Sequence, residues 1–143
     1  MVKTGTLYGV GVGPGDPELM TVKAWRLIST APVIAYLAAN GKESTARDIA
    51  QVFIPDDAEH LVIDMPIRTE REPGEKAYDY DAAAISVHLK AGRDVVMLCE
   101  GDPFFYGSFM YIFARLAKTY KAIAIPGVTS ITASAAAIGP PLT

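Results

Sequence analysis

The sequence predicts an α/β domain in which a five-stranded, parallel-dominated sheet is flanked by helices. Two observations carry that prediction. Five short apolar or β-branched runs alternate with segments whose apolar residues recur at helical spacing, and most of these runs end in a turn rich in glycine or proline. Parallel strands need a covering crossover between them, so this alternation calls for helices packed on the sheet. With 143 residues, half of them apolar, the chain has enough material for one core of ordinary size.

Taken in order, Thr6–Val12 reads as the first strand, and Gly13-Pro14-Gly15-Asp16-Pro17 stops it. Asp16 suits an N-cap and Pro17 the first helical position, after which Met20, Ala24, Leu27, Ile28 and Ala31 predict one helix. Pro32–Leu37 is a second strand with Ala38-Ala39-Asn40-Gly41 as its exit. Ser44 then caps a helix with Ala46, Ile49, Ala50 and Phe53 inward, ended by Pro55. Leu61–Ile63 makes a short third strand. The mixed charges of Ile67–Lys76 around a Pro-Gly pair predict an exposed loop, with a lid over a ligand as the alternative. Tyr78, Ala82, Ile85 and Leu89 mark a long helix that stops at Gly92 in a left-handed cap. Val95–Cys99 is the fourth strand. Ser108 is placed to cap a helix with Phe109, Ile112, Phe113 and Leu116 inward. Ala122–Ile125 is the fifth strand, and Ile131–Ile138 an alanine-rich helix ended by Gly139 and Pro140.

Composition narrows the function. A net charge of −3 with scattered basic residues disfavours nucleic acid as a partner. The lone cysteine, Cys99, excludes an internal disulfide and suits a reducing interior, and no metal-ligand pattern is present. No stretch reaches the roughly 18 apolar residues of a membrane span, and the expected location is the cytoplasm. In sheets of this class ligands lie beyond the carboxyl ends of the strands. Three loops fall on that edge: GPGDP after the first strand, EGDPFFYG after the fourth and PGVTS after the fifth.

Their chemistry argues against a nucleotide phosphate. Neither reading frame through Gly9 and Gly11 completes G-x-G-x-x-G, Pro14 removes a backbone donor, and the second strand ends in Leu37 where a ribose-binding acid is expected. Glu100 and Asp102 would repel phosphate but suit a cation or a ribose. A sulfonium ligand such as S-adenosylmethionine meets both preferences, because its positive sulfur favours acidic and aromatic surroundings.

The segments GVGVGPGDPELMTVKA (Gly9–Ala24), CEGDPFFYGSFMY (Cys99–Tyr111) and PGVTSITASAAAIGPPLT (Pro126–Thr143) resemble the tetrapyrrole (precorrin) methylases. LCEGDPFFYGSFMY, with AYLAANGKESTAR upstream, is most similar to the branch that methylates precorrin-2 at C20 in cobalamin biosynthesis. The resemblance implies an S-adenosylmethionine-dependent methyltransferase with two α/β domains, the cofactor in the cleft between them, and pairing as a homodimer. It implies that residues 1–143 are the amino-terminal domain, the carboxyl-terminal one being absent. Cofactor contacts would come from Pro14, Glu100, Gly101, Asp102, Phe105, Thr129 and Ser130. The substrate would be precorrin-2 or its cobalt form, with Ser44, Arg47 or Arg68 toward its carboxylates.

Each assignment has a plainer alternative. Gly13, Gly15, Pro14 and Asp102 also serve as turn residues, Phe104, Phe105 and Tyr106 as core or rim aromatics, and Thr129 and Ser130 as helix caps. His60 and His88 lie outside the three loops and read as structural. Some relatives carry an aspartate just after the second strand, but Leu37 stands here, so no catalytic residue is assigned. A non-catalytic ligand-binding or assembly domain, another precorrin methyltransferase, and a nicotinamide-dependent precorrin enzyme are the alternative functions.

Overall fold

A computed structural model describes residues 3–38, 43–64 and 71–143. The strands are β1 (Leu7–Gly11), β2 (Val33–Leu37), β3 (Glu59–Ile63), β4 (Val95–Cys99) and β5 (Ala122–Ile125). They form one sheet in the order β3-β2-β4-β1-β5, and every pairing is parallel. The helices are α1 (Val22–Ser29), α2 (Thr45–Ala50), α3 (Arg71–Lys90), α4 (Phe109–Leu116) and α5 (Ser130–Ile138).

Alternation along the central strand divides the core in two. Val95, Met97 and Cys99 of β4 face α3 and α4, where Ile85, Leu89, Phe109 and Ile112 are buried. Val96 and Leu98 face α1 and α2, against Ala24, Ile28, Ile49 and Ala50. Because all five residues of β4 are buried, it is the middle of both layers. Right-handed crossovers account for the sides: the chain moves toward β3 through α1 and α2, then back across the sheet through α3 and α4. The direction reverses between the adjacent strands β1 and β4, so the helices that follow them, α1 and α4, pack on opposite faces.

Three local expectations are corrected. The helix predicted from Pro17 is two pieces: a 3₁₀ turn over Pro17–Leu19 capped by Asp16, then an extended Met20, then α1 with Thr21 Oγ1 accepting from Ala24 N–H at 3.1 Å. Thr21 supplies a second cap. The charged segment is not a loop throughout. Residues 67–70 lie outside the described residues, as does 39–42 of the second exit, but α3 begins at Arg71 and carries Pro73 and Gly74 in its first turn. Proline is tolerated there because first-turn N–H groups have no intrahelical acceptor. Glu75 and Asp79 pair with Arg115 of α4 at 2.5 and 2.7 Å, fastening one helix to the other. Finally, Ser108 stands at the N-cap of α4 but makes no side-chain capping bond, its own backbone being helical.

His60 and His88 hold the framework. Tyr36 Oη and His60 Nδ1 lie 3.0 Å apart, and His88 Nδ1 is 3.2 Å from the Arg93 guanidinium that also pairs with Glu59. No helix among the described residues is long and apolar enough to cross a membrane.

Two positions show the packing most directly. A Cβ on Gly9, mid-strand in β1, would fall inside the Phe109 ring. Gly9→Ala is therefore expected to cost about 1–3 kcal/mol by overpacking, read from urea denaturation. Asp81 on α3 is buried, and its Oδ2 has no hydrogen-bond partner. Burial, with the Asp64 charge adding to it, pushes its carboxyl up to about 6. A carboxyl raised on folding makes the native state hold the proton more tightly than the unfolded chain, so stability falls as pH rises from about 4 to about 6. Asp81→Asn should raise the urea midpoint at pH 7, with the gain vanishing below about pH 4.

Candidate functional site

The three loops after β1, β4 and β5 meet at one point because β1 lies between β4 and β5 in the sheet. Beyond the strands, Val12 N–H donates to Cys99 O at 2.9 Å, and Gly101 N–H to Gly13 O at 2.8 Å, in an isolated antiparallel bridge. Gly13 (φ +82°) and Gly101 (φ +61°) sit in the left-handed region that glycine occupies without a Cβ penalty. The third loop closes on the other two at Gly127. A Cβ there would overlap Gly101 O, and one on Gly11 would lie 2.5 Å from that oxygen and 2.9 Å from Gly127 Cα. The chain can pass here only as bare backbone.

Asp102 locks this junction. Its Oδ1 accepts from Phe104 N–H at 2.9 Å, shaping the turn, while Oδ2 accepts from Gly127 N–H at 3.0 Å, across 25 residues of sequence. The turn-forming alternative for Asp102 thus holds, together with a long-range role that sequence spacing does not reveal. Thr129 caps α5, its Oγ1 accepting from Thr132 N–H at 3.5 Å, so the plainer reading of that residue also holds.

Around the junction lies a pocket of about 270 Å³. Pro14, Glu100, Gly101, Asp102, Phe105, Thr129 and Ser130, the residues expected from the sequence, all line it. Tyr106 and Ile131 line it as well and were not among them. Ile131 lies in the predicted alanine-rich helix and is exposed. The signal for Tyr106 was only its place among three aromatics.

A second pocket, of about 220 Å³, opens beyond β2 and β4 and shares Glu100 and Tyr106 with the first. Ser44, buried and capping α2 at 3.4 Å to Arg47 N–H, stands in its wall with Leu37, Cys99 and Phe109. Burial pushes the Cys99 thiol up to about 12, against a hydrogen bond from the backbone and with the nearby Asp102 charge reinforcing it. The thiol therefore stays protonated and is an apolar wall, not a nucleophile. Arg47 is not at this rim: it lies 3.6 Å from Asp48 and lines a separate hollow beside His60. Arg68 lies outside the described residues.

The donor set fits an adenosyl sulfonium better than a phosphate. Two acids, two hydroxyl residues and two aromatic rings line the first pocket, and among the described residues neither lysine nor arginine does.

Known proteins resemble this chain in sequence and fold. The chain is 45% identical over 150 residues to cobalamin biosynthesis protein CobIJ of Mycobacterium tuberculosis strain H37Rv, covering 99% of this chain and 30% of that protein. It is 40% identical over 149 residues to precorrin-2 C(20)-methyltransferase of Sinorhizobium sp, covering 99% of this chain and 61% of that one. The chain thus spans from about a third to three fifths of these relatives. Among solved structures, uroporphyrin-III C-methyltransferase of Thermus thermophilus complexed with S-adenyl homocysteine superposes with a TM-score of 0.66 at 30% identity, over 91% of this chain and 48% of that one. The native form of the Thermus thermophilus enzyme gives 0.73 at 32% identity, over 97% and 54%. The profile described as Tetrapyrrole (Corrin/Porphyrin) Methylases matches residues 6–143. A sheet whose glycine loops converge on an acidic, phosphate-averse pocket and a match that runs almost end to end lead to one conclusion: this chain belongs to the tetrapyrrole methylases.

Proposed function

We propose that the chain is the amino-terminal domain of an S-adenosylmethionine-dependent methyltransferase that modifies C20 of precorrin-2, or of its cobalt form, in cobalamin biosynthesis. The observation that carries this reading is the meeting of Pro14, Asp102 and Thr129, from three loops far apart in sequence, around one pocket. Likeness to precorrin-2 C(20)-methyltransferase supports the substrate. S-adenosylmethionine, held by the residues of the first pocket, would supply an electrophilic methyl group to a ring carbon of the acceptor, leaving S-adenosylhomocysteine and a proton released to solvent. Positioning and local charge are what the protein adds.

In this reading Glu100 and Asp102 hold negative charge beside the sulfonium or the ribose hydroxyls, and Phe105 packs against the adenosyl group. The carbonyls around Gly101 and the hydroxyls of Thr129 and Ser130 complete the polar contacts. Ile131, Ile138 and Leu142 leave an apolar surface at α5. That surface suits cover by a second domain or by the other subunit of a cytoplasmic homodimer.

Calorimetry of the full-length protein that contains this domain with S-adenosylhomocysteine should show binding, and Asp102→Ala should weaken it about tenfold or more, since two charge-assisted hydrogen bonds are lost. Failure of the unsubstituted full-length protein to bind would overturn the cofactor assignment. Incubation with S-adenosylmethionine and precorrin-2 should yield a product heavier by one methylene, read by mass spectrometry; binding without product would favour a non-catalytic domain. Gly127→Ala should abolish cofactor binding at a stability cost of about 1–3 kcal/mol, because its Cβ displaces the Gly101 carbonyl.

A further inference from the structure

Tyr106 has an unusual combination of properties. It is the only non-glycine residue with positive φ among the described residues, at +55°, a region disfavoured for side chains bearing a Cβ. Its residue surface is 94% exposed, the highest value among the exposed large apolar and aromatic residues. A bulky aromatic there serves neither backbone comfort nor core burial.

The surrounding loop explains why the residue cannot turn away. Phe104 N–H and Phe105 N–H donate to Asp102 Oδ1 and O at 2.9 and 3.3 Å, and Gly107 passes so close to Pro103 that a Cβ would lie 2.8 Å from its carbonyl oxygen. Held between these points, the Tyr106 ring meets Phe105 edge-on, with centroids 4.9 Å apart and planes at 78°. It forms part of the wall of both pockets. The first pocket carries Asp102 and the Gly101 backbone, and Glu100 stands between the two. The second is walled by Leu37, Cys99 and Phe109 with Ser44, Glu100 and Ser108 among them, so its apolar faces suit one edge of a flat conjugated ring, not a whole macrocycle.

We propose that Tyr106 is an acceptor-positioning residue: its exposed ring face stacks on the conjugated system of the methyl acceptor and sets the angle at which that ring's edge enters the second pocket. This inference rests on the methyltransferase reading above. It adds that the second pocket is the acceptor side and that the boundary is aromatic.

The test uses the full-length protein that contains this domain, with precorrin-2, S-adenosylmethionine and S-adenosylhomocysteine. Tyr106→Leu should raise the precorrin-2 KM or lower kcat at least tenfold while the S-adenosylhomocysteine Kd changes less than threefold, and Tyr106→Phe should stay near the unsubstituted enzyme. Tyr106→Gly, which suits the left-handed backbone, should melt at or above the unsubstituted temperature yet share the kinetic loss. Unchanged kinetics in Tyr106→Leu overturn the proposal. So does an equal fall in cofactor affinity, which would make the ring a cofactor contact, or a lowered melting temperature in Tyr106→Gly, which would make it structural. Absence of S-adenosylhomocysteine binding by the unsubstituted full-length protein overturns the methyltransferase reading itself, and this inference with it.

Discussion

The close approach of three backbones at Gly11, Gly101 and Gly127 is the constraint on which the site depends. Side chains at Gly11 or Gly127 would collide with the Gly101 carbonyl, so the exits of β1 and β5 reach the β4 exit only because both arrive without a Cβ. Asp102 converts this contact into a bonded junction, with one carboxylate oxygen for its own turn and the other for Gly127 N–H. Charge-assisted bonds to backbone donors are stronger than neutral ones, and here they span loops that no secondary structure connects.

The sheet brings those loops within reach. With β1 between β4 and β5, the exits are neighbours. Because the chain reverses its direction of travel between β1 and β4, α1 and α4 leave on opposite faces, while the loops that lead to them stay joined at Gly13 and Gly101. Gly9 contributes from below by letting the Phe109 ring sit on the strand, which seats the start of α4 and the loop before it. The same framework tolerates an unfavourable buried carboxyl, Asp81, on the other side of the sheet from α1 and α2.

Charge and reactivity at the site follow from these positions. The acids Glu100 and Asp102 line a pocket that no basic side chain lines among the described residues, a balance that disfavours phosphate and suits a cation. Cys99, one residue before the acids, is kept protonated by burial and contributes shape alone. The aromatic residues divide: Phe104 packs at 5.2 Å from Phe113, Phe105 faces the first pocket, and Tyr106 stands exposed between two pockets.

Strand and helix order were legible in the residues because apolar periodicity reports burial directly: Val95–Cys99 had to be central, and Gly92 had to end a helix in the left-handed region, as its φ of +80° bears out. The loops that would carry ligand were legible too, since glycine, proline and acid clusters after parallel strands fall on one edge. Spacing along the chain could not say that Asp102 reaches Gly127, that Tyr106 faces outward, or that Arg47 lies away from the rim. Nor could it say that helix continues into Arg71–Lys76, because charge pattern alone does not distinguish a solvated loop from a helix pinned by Arg115. Local propensity decides which elements form. Which side chains meet depends on how far apart the strands lie and on what fits between them, and only the packed sheet determines that.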